Sequence, residues 1–260
     1  MLKTIIAERF YRGTVKGRTQ PSFFGCQSED GESIDVVAKF TAGCNRPADL
    51  AHEVLGSFVA KSLGLPTPRT FIVEVPPALI SAINDTNRQA LIKKSCPLAF
   101  GSEMAPGYTQ WEVGSNVPGS SLPLAAAIWV FDAACENADR GKENVNLLAA
   151  SDDWLLIDHE LAWPGVPMIG APKSWQTGGL KHLVDETRHI FTKSLKEGAL
   201  DLTMAQNGWQ GLSLSEVSLY AQTIPSAWNA TTAVSKVLSQ LDAVQTNLAG
   251  LLAETRRVLT

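Results

Sequence analysis

The chain has 260 residues, 45% of them hydrophobic and 18% charged, with a formal net charge of −4 and a mean hydropathy of +0.01. That length can bury a sizeable core as one large domain or two packed lobes. Its mild acidity gives no electrostatic reason to expect nucleic acid or an anionic membrane as a main partner. No apolar run approaches the ~20 residues of a membrane-spanning helix.

The start, "MLKTIIAERF", is too short and too soon interrupted by charge for a secretory core, so a cytoplasmic location is the expectation. Cys26, Cys44, Cys96 and Cys135 are scattered without a CxxC pair, and His52, His159, His182 and His189 lack a metal-protease spacing. Neither a zinc site nor disulfides are expected, and the cysteines read as small buried hydrophobes.

The first forty residues read as strands. "KTIIAE" is short and apolar, and "PSFFGCQ" and "SIDVVAKF" are joined by a turn at Asp30-Gly31. Between the first two strands lies "RGTVKGRTQP", with two glycines and several basic side chains. A helix follows in "RPADLAHEVLGSFVAKSLGL". Leu50, Val54, Leu55, Phe58 and Leu63 form its stripe, Pro47 suits its first turn and Gly64 its stop.

"TFIVEVP" and "RQALIKK" read as further strands, and "AFGSEMAPG" as a connector with breakers at Gly101, Pro106 and Gly107. "LPLAAAIWVFDAACENAD" reads as a buried helix. Two apolar segments separated by "ASDD" come next, and the pattern is helical from about residue 170. Ser213 and Glu216 have the spacing of a capping box. One long amphipathic helix is expected over "TTAVSKVLSQLDAVQTNLAGLLAETRRVL", with Val234, Leu238, Leu241, Val244, Leu248 and Leu251 as its stripe. The expected architecture is α+β with two lobes. A β-rich lobe covers residues 1–100, a hinge 101–112, and a larger helical lobe 113–260.

Two lobes raise the possibility of phosphoryl transfer, which needs few parts. Lys39 ends the strand "VVAK", and Glu53 lies in the following helix, fourteen residues on. Each alone is also what a strand-end lysine or a solvated helix face would show. Together they match a phosphate-binding lysine and the acid that orients it. Asp139 and Asn144 stand in a D-x-x-x-x-N spacing after the buried helix. A carboxylate there can align an acceptor hydroxyl, and an amide oxygen suits magnesium without adding charge. A polar loop of turn-forming residues would carry the same letters. Asp158 ends the apolar strand "WLLID", where a carboxylate is costly unless it meets a cation or a firm donor. In "RGTVKGRTQP", Gly13 and Gly17 would let backbone approach phosphates. The amides of Thr14, Val15 and Arg18 could donate to them, with Arg12, Lys16 and Arg18 adding charge. Thr14 and Thr19 would then lie near the γ-phosphate as candidate self-modification sites; an ordinary hairpin tip is the alternative.

These segments resemble the HipA-like kinases, in particular their short single-chain members, and more distantly the phosphatidylinositol kinases and aminoglycoside phosphotransferases. The resemblance rests on "VVAKF", "LAHEVLGSFVAKSLGLPTP", "FGSEMAPG", "FDAACENADRGKENVNLL" with Asp139, Asn144 and Asn146, and "LLIDHELAW". It implies a two-lobed kinase fold using ATP and magnesium. Asp139 would be the catalytic aspartate, Asn144 and Asp158 the metal ligands, and Lys39 the phosphate-binding lysine with Glu53 its partner. Main-chain groups around Glu103 and Met104 would meet the adenine. A serine or threonine of a protein would be the acceptor, with a toxin-like role and a regulatory or antitoxin partner.

The chain departs from those patterns at Gly141, where many relatives carry a larger side chain, and at His159-Glu160, where protein kinases carry Phe-Gly. Asn137 stands where aminoglycoside kinases carry histidine. A small-molecule or lipid-headgroup kinase, and a nucleotide-binding pseudokinase with a regulatory role, are the competing expectations.

Overall fold

The computed structural model describes residues 2–14, 19–46, 48–164 and 170–260. The N-terminal part is rich in strands and the C-terminal part helical. By internal contacts the chain forms two compact units. One comprises Met1–Leu55, Pro68–Pro106 and Leu219–Val234; the other comprises Gly56–Thr67, Gly107–Ser218 and Ser235–Thr260.

In the first unit, β1 (Lys3–Gly13), β2 (Ser22–Ser28), β3 (Ser33–Lys39), β4 (Thr70–Glu74) and β5 (Leu98–Glu103) close a barrel in the order β1-β2-β3-β5-β4. Antiparallel pairing runs through most of it, and a parallel β1–β4 pair completes the closure. The strand period of two explains the filling. Ile5, Ala7, Phe24, Cys26, Ile34, Val36 and Ala38 alternate inward and are buried. Two irregularities in β1, between Ala7 and Arg9 and between Phe10 and Arg12, let this long strand curve around the barrel. Gly31, at φ 80°, makes the β2–β3 turn where Asp30-Gly31 placed it.

Helix α1 (Asp49–Ser62) follows the sequence reading, and Gly64 ends it in the left-handed conformation at φ 79°. Pro47 lies outside the described residues. Leu50, Ala51 and Val54 of α1 pack with Ile72, Phe100, Trp228 and Ala230 in a second apolar cluster.

Two expectations in this unit fail. "RQALIKK" is not a strand but part of α3 (Thr86–Lys94). A seven-residue apolar pattern fits either period, and the cap decides it: the Asp85 carboxylate accepts the Arg88 backbone N–H at 3.0 Å. Arg88 and Ile92, one turn apart, form its buried face. A further short helix, α2 (Pro77–Ala82), begins with proline at its first position. The expected connector "AFGSEMAPG" is strand as far as Glu103, and β5 sits between β3 and β4. Gly101 is there for close packing rather than as a break, because a Cβ would collide with Val73.

In the second unit, α4 (Leu122–Ala134) is buried from Ala125 through Ala134, as its nearly all-apolar sequence demands. β6 (Thr109–Gln110), β7 (Leu147–Ala150) and β8 (Asp153–Leu156) make a small antiparallel sheet. Trp154 stacks on Phe191 beneath it, with Trp111 edge-on to both. Helices α5 (Thr192–Glu197), α6 (Thr203–Gly211), α7 (Leu214–Ala221), α8 (Thr231–Thr246) and α9 (Leu248–Leu259) are the remaining α-helices among the described residues. The Ser213 hydroxyl caps α7 by accepting the Glu216 N–H.

The single long tail helix is two. Asn247 interrupts it and turns its side-chain amide to the Ala243 carbonyl at 2.8 Å. Asparagine competes for backbone hydrogen bonds in this way. Leu241, Val244, Leu248 and Leu251 are buried as expected, whereas Val237 rather than Leu238 carries the stripe upstream.

Candidate active site

Lys39 is the last residue of β3. The alternation that turns Ala38 into the barrel turns Lys39 to the other face, where its Nζ donates to Glu53 Oε1 of α1. Glu53 is 1% exposed and Lys39 8%. A pair this buried is held because either partner alone would be an uncompensated charge.

Gly13 closes β1, and the Thr14 N–H donates to the Pro21 carbonyl at 2.9 Å. That amide is therefore spent on closing the hairpin, which corrects the expectation that it faces phosphate. Thr19 is buried, and the Arg12 guanidinium lies 4.4 Å over the Phe23 ring. Gly17 and Arg18, with Val15 and Lys16, lie outside the described residues.

At the end of β5 the Glu103 amide donates to the Arg69 carbonyl at 2.9 Å and the Met104 amide to the Asp35 carbonyl at 2.8 Å. The Glu103 carboxylate is itself taken by the Arg69 guanidinium in two 2.7 Å bonds. A base bound here would not find these two amides, and carbonyl oxygens are the groups left to meet it.

The richest geometry surrounds Asp139. Asn144 Nδ2 donates to Asp139 Oδ2 at 2.7 Å, and Asn146 Nδ2 donates to the same oxygen at 3.2 Å and to the Asp139 carbonyl at 3.1 Å. Burial raises the Asp139 carboxyl above the usual carboxylate range. The asparagine bonds oppose that shift, and the negative charges of Asp158 and Glu160 add to it. Asp158 itself stands in the left-handed region at φ 62°, a costly conformation for a residue other than glycine, and Asn146 does so at φ 46°. The Ile157 N–H to Asn146 carbonyl bond of 3.2 Å ties the two turns together.

The loop is anchored from below by a group that the sequence reading passed over. Asp132 of α4 is completely buried. It accepts Arg140 Nε at 2.7 Å, Asn137 Nδ2 at 2.7 Å and His189 Nε2 at 3.0 Å. Arg140, also fully buried, donates on to the Asn146 carbonyl. Burial by itself would raise the Asp132 carboxyl, but the charge of Arg140 and the bond from His189 hold it down at about 2. The signal was present as a lone acid inside an otherwise apolar helix.

The departures also find structural reasons. A Cβ on Gly141 would meet the Thr187 carbonyl at 2.8 Å and the Arg188 carbonyl at 3.1 Å, so a larger side chain does not fit this loop. His159 is buried with its ring edge-on to Phe131, at 5.6 Å and 87°, and a Cβ on Gly56 would meet His159 Cγ at 2.6 Å. The histidine after Asp158 is thus a packed group seated on a glycine.

The donor set suits a hard divalent cation. Because Asn144 spends its Nδ2 on Asp139, its Oδ1 is the atom left for a metal, and Asp158 adds a carboxylate. The mutual electrostatic cost of Asp139, Asp158 and Glu160 is what a cation would relieve.

Three comparisons bear on this arrangement. The family model described as HipA-like kinase matches residues 6–255. No match emerges among curated protein sequences. Among solved structures, the chain is similar to the proinflammatory kinase CtkA of Helicobacter pylori, with a TM-score of 0.54 and 10% identity, over 98% of each chain. At that identity the likeness is one of fold.

Proposed function

The chain belongs to the HipA-like kinase family, and from that premise we propose that it is an ATP- and magnesium-dependent phosphotransferase acting on a serine or threonine hydroxyl of a protein. The carrying observation is the Asp139 carboxylate, held by Asn144 and Asn146 in a loop fixed on buried Arg140 and Asp132, with the charge of Asp158 beside it.

In this reading Lys39, oriented by Glu53, binds donor phosphate oxygens. Asp139 accepts a hydrogen bond from the acceptor hydroxyl and takes its proton as the oxygen attacks the γ-phosphorus. The bond from phosphorus to the β-bridging oxygen breaks, and ADP leaves. Asn144 and Asp158 would hold magnesium, whose contribution when bound is neutralisation of charge on the phosphate oxygens. Gly13, Thr14, Gly17, Arg18 and Thr19 would cover the donor phosphates, and main-chain carbonyls around Glu103 and Met104 would meet the base. Raised basicity suits Asp139 to proton acceptance, because a base works best with a pKa nearer the working pH. The two-lobed kinase organisation, a cytoplasmic location, and a toxin-like role with a regulatory or antitoxin partner belong to the same proposal.

The test is incubation of the purified protein with γ-labelled ATP and magnesium, alone and with cell lysate, beside Asp139→Asn and Asp158→Ala. Label on lysate proteins with the wild type, lost in both variants, is the expected result. Label in a soluble metabolite or a lipid instead would move the acceptor to that class. Nucleotide binding with no transfer would make the chain a regulatory pseudokinase. Equal transfer by the wild type and Asp158→Ala would sink the metal assignment.

A further inference from the structure

The two chain legs that leave β1 at residues 13–14 and enter β2 at residues 20–21 are held by a residue outside both. Arg88, on α3, is 5% exposed, and its guanidinium donates to backbone carbonyls on both legs: Nη2 to Thr14 at 2.7 Å and Nη1 to Gln20. Two neighbouring features accompany this arrangement. A Cβ on Gly13 would lie 2.6 Å from Arg88 Cζ, so the glycine clears the seat of the guanidinium. Gln20 adopts φ 45°, a left-handed conformation unfavourable for glutamine, on the leg whose carbonyl receives Nη1. Among the described residues no carboxylate pairs with the guanidinium, and Nε has no hydrogen-bond partner. Asp85, the nearest acid in sequence, spends Oδ1 on the Arg88 backbone N–H.

A buried cation bound to two neutral carbonyls is an expensive way to fill space, since an apolar side chain would avoid the desolvation. What an arginine adds, and an apolar residue or a lysine does not, is a planar fork that reaches two acceptors at fixed separation. The structure assigns Arg88 as a positioning residue: a clamp that sets the spacing and orientation of the two legs at residues 13–14 and 20–21, with Gly13 kept small to admit it. This rests on the proposed function for its catalytic consequence, because the hairpin matters to turnover if it covers the phosphates of ATP. The clamp explains why Gly13 is glycine by a different route from the one the sequence suggested. Its lack of a side chain serves the arginine behind the loop rather than the phosphate in front of it.

The test uses the full chain with Arg88→Met, Arg88→Lys and Gly13→Ala, read by steady-state kinetics and by amide hydrogen exchange. Loss of a charge-assisted bond of this kind predicts a rise of about tenfold in KM for ATP in Arg88→Met, with a smaller change in kcat. Arg88→Lys, with a single point donor, should fall between the two. Exchange should accelerate in peptides covering 13–21 and stay unchanged in β4 and β5. Gly13→Ala, which displaces the guanidinium without removing its charge, should reproduce both effects, and it decides the matter if Arg88→Met does not fold. An unchanged KM with unchanged exchange at 13–21, or exchange accelerated evenly across the barrel, would overturn the clamp. If the wild type itself turns over no ATP, the kinase reading fails, and the exchange result alone supports or overturns the clamp.

Discussion

Asp132 sets the stance of the Asp139 loop although it never reaches the loop's surface. Its two oxygens gather Asn137 and Arg140 of the loop itself and His189 from a distant stretch of chain. Asp132→Ala would strand Arg140 as a buried charge without a counter-ion, a change that costs about 3–5 kcal/mol. Denaturant unfolding should show that loss, and transfer should fall with it because the Asn146 carbonyl bond depends on Arg140.

The protonation of His189 can be read from its partners. The Phe191 N–H donates to Nδ1 while Nε2 faces Asp132, so the ring is neutral with its proton on Nε2. Burial depresses its pKa, more strongly than Asp132 raises it. The unfolded chain therefore takes a proton more readily than the folded one as pH falls. Stability linked to this group is complete above the unfolded value of about 6.5 and is lost progressively below it. The unfolding midpoint in urea should drop from pH 7 to pH 5, and His189→Gln should reduce that drop. An equal drop in both proteins would show that the acid sensitivity lies elsewhere.

At the scale of elements, the decisive features are places where two segments approach too closely for a side chain. Gly208 in α6 is one: a Cβ there would stand 2.8 Å from the Leu63 carbonyl. Helix propensity alone favours alanine over glycine by about 0.8–1 kcal/mol. Overpacking against rigid backbone costs about 1–3 kcal/mol, so the contact outweighs the propensity. Gly208→Ala should lower the melting temperature, and a rise would mean that α6 shifts freely. The same logic separates what was legible here from what was not. The β1 to β3 strands announce themselves by short apolar segments around the Asp30-Gly31 turn, and α4 by a nearly unbroken apolar run. α3 does not, because seven residues of "RQALIKK" satisfy two periods, and the element was settled by a cap on Asp85. The break at Asn247 is likewise a local hydrogen bond competing inside a stripe that remains apolar on both sides.

For the molecule as a whole, the nucleotide binding proposed from the family membership is testable as a gain in stability. A ligand at a hundred times its dissociation constant adds about 2.7 kcal/mol. For a chain of this size that corresponds to roughly 5–10 °C in melting temperature. ATP with magnesium should produce such a shift in the wild type, ATP with a chelator much less, and Asp158→Ala should lose the magnesium-dependent part. No difference between the two additions would remove magnesium from the proposal. No helix among the described residues is long and apolar enough to cross a membrane.

The sequence by itself determined the kinase family and the β-rich and helical parts, and it singled out Lys39, Glu53, Asp139, Asn144 and Asp158 as the candidates for the proposed chemistry. These depend on residue type and spacing, which a linear reading preserves. Tertiary structure alone decided which groups hold those residues in place and which apparent donors are already used. Asp132 and His189 meet across 57 positions, and Arg88 reaches Thr14 across 74. The amides of Thr14, Glu103 and Met104 look free in sequence but are committed to other backbone carbonyls. A hydrogen bond is made between positions in space. Its donor is known from the sequence, but its acceptor is fixed only when the barrel closes and the loops are packed.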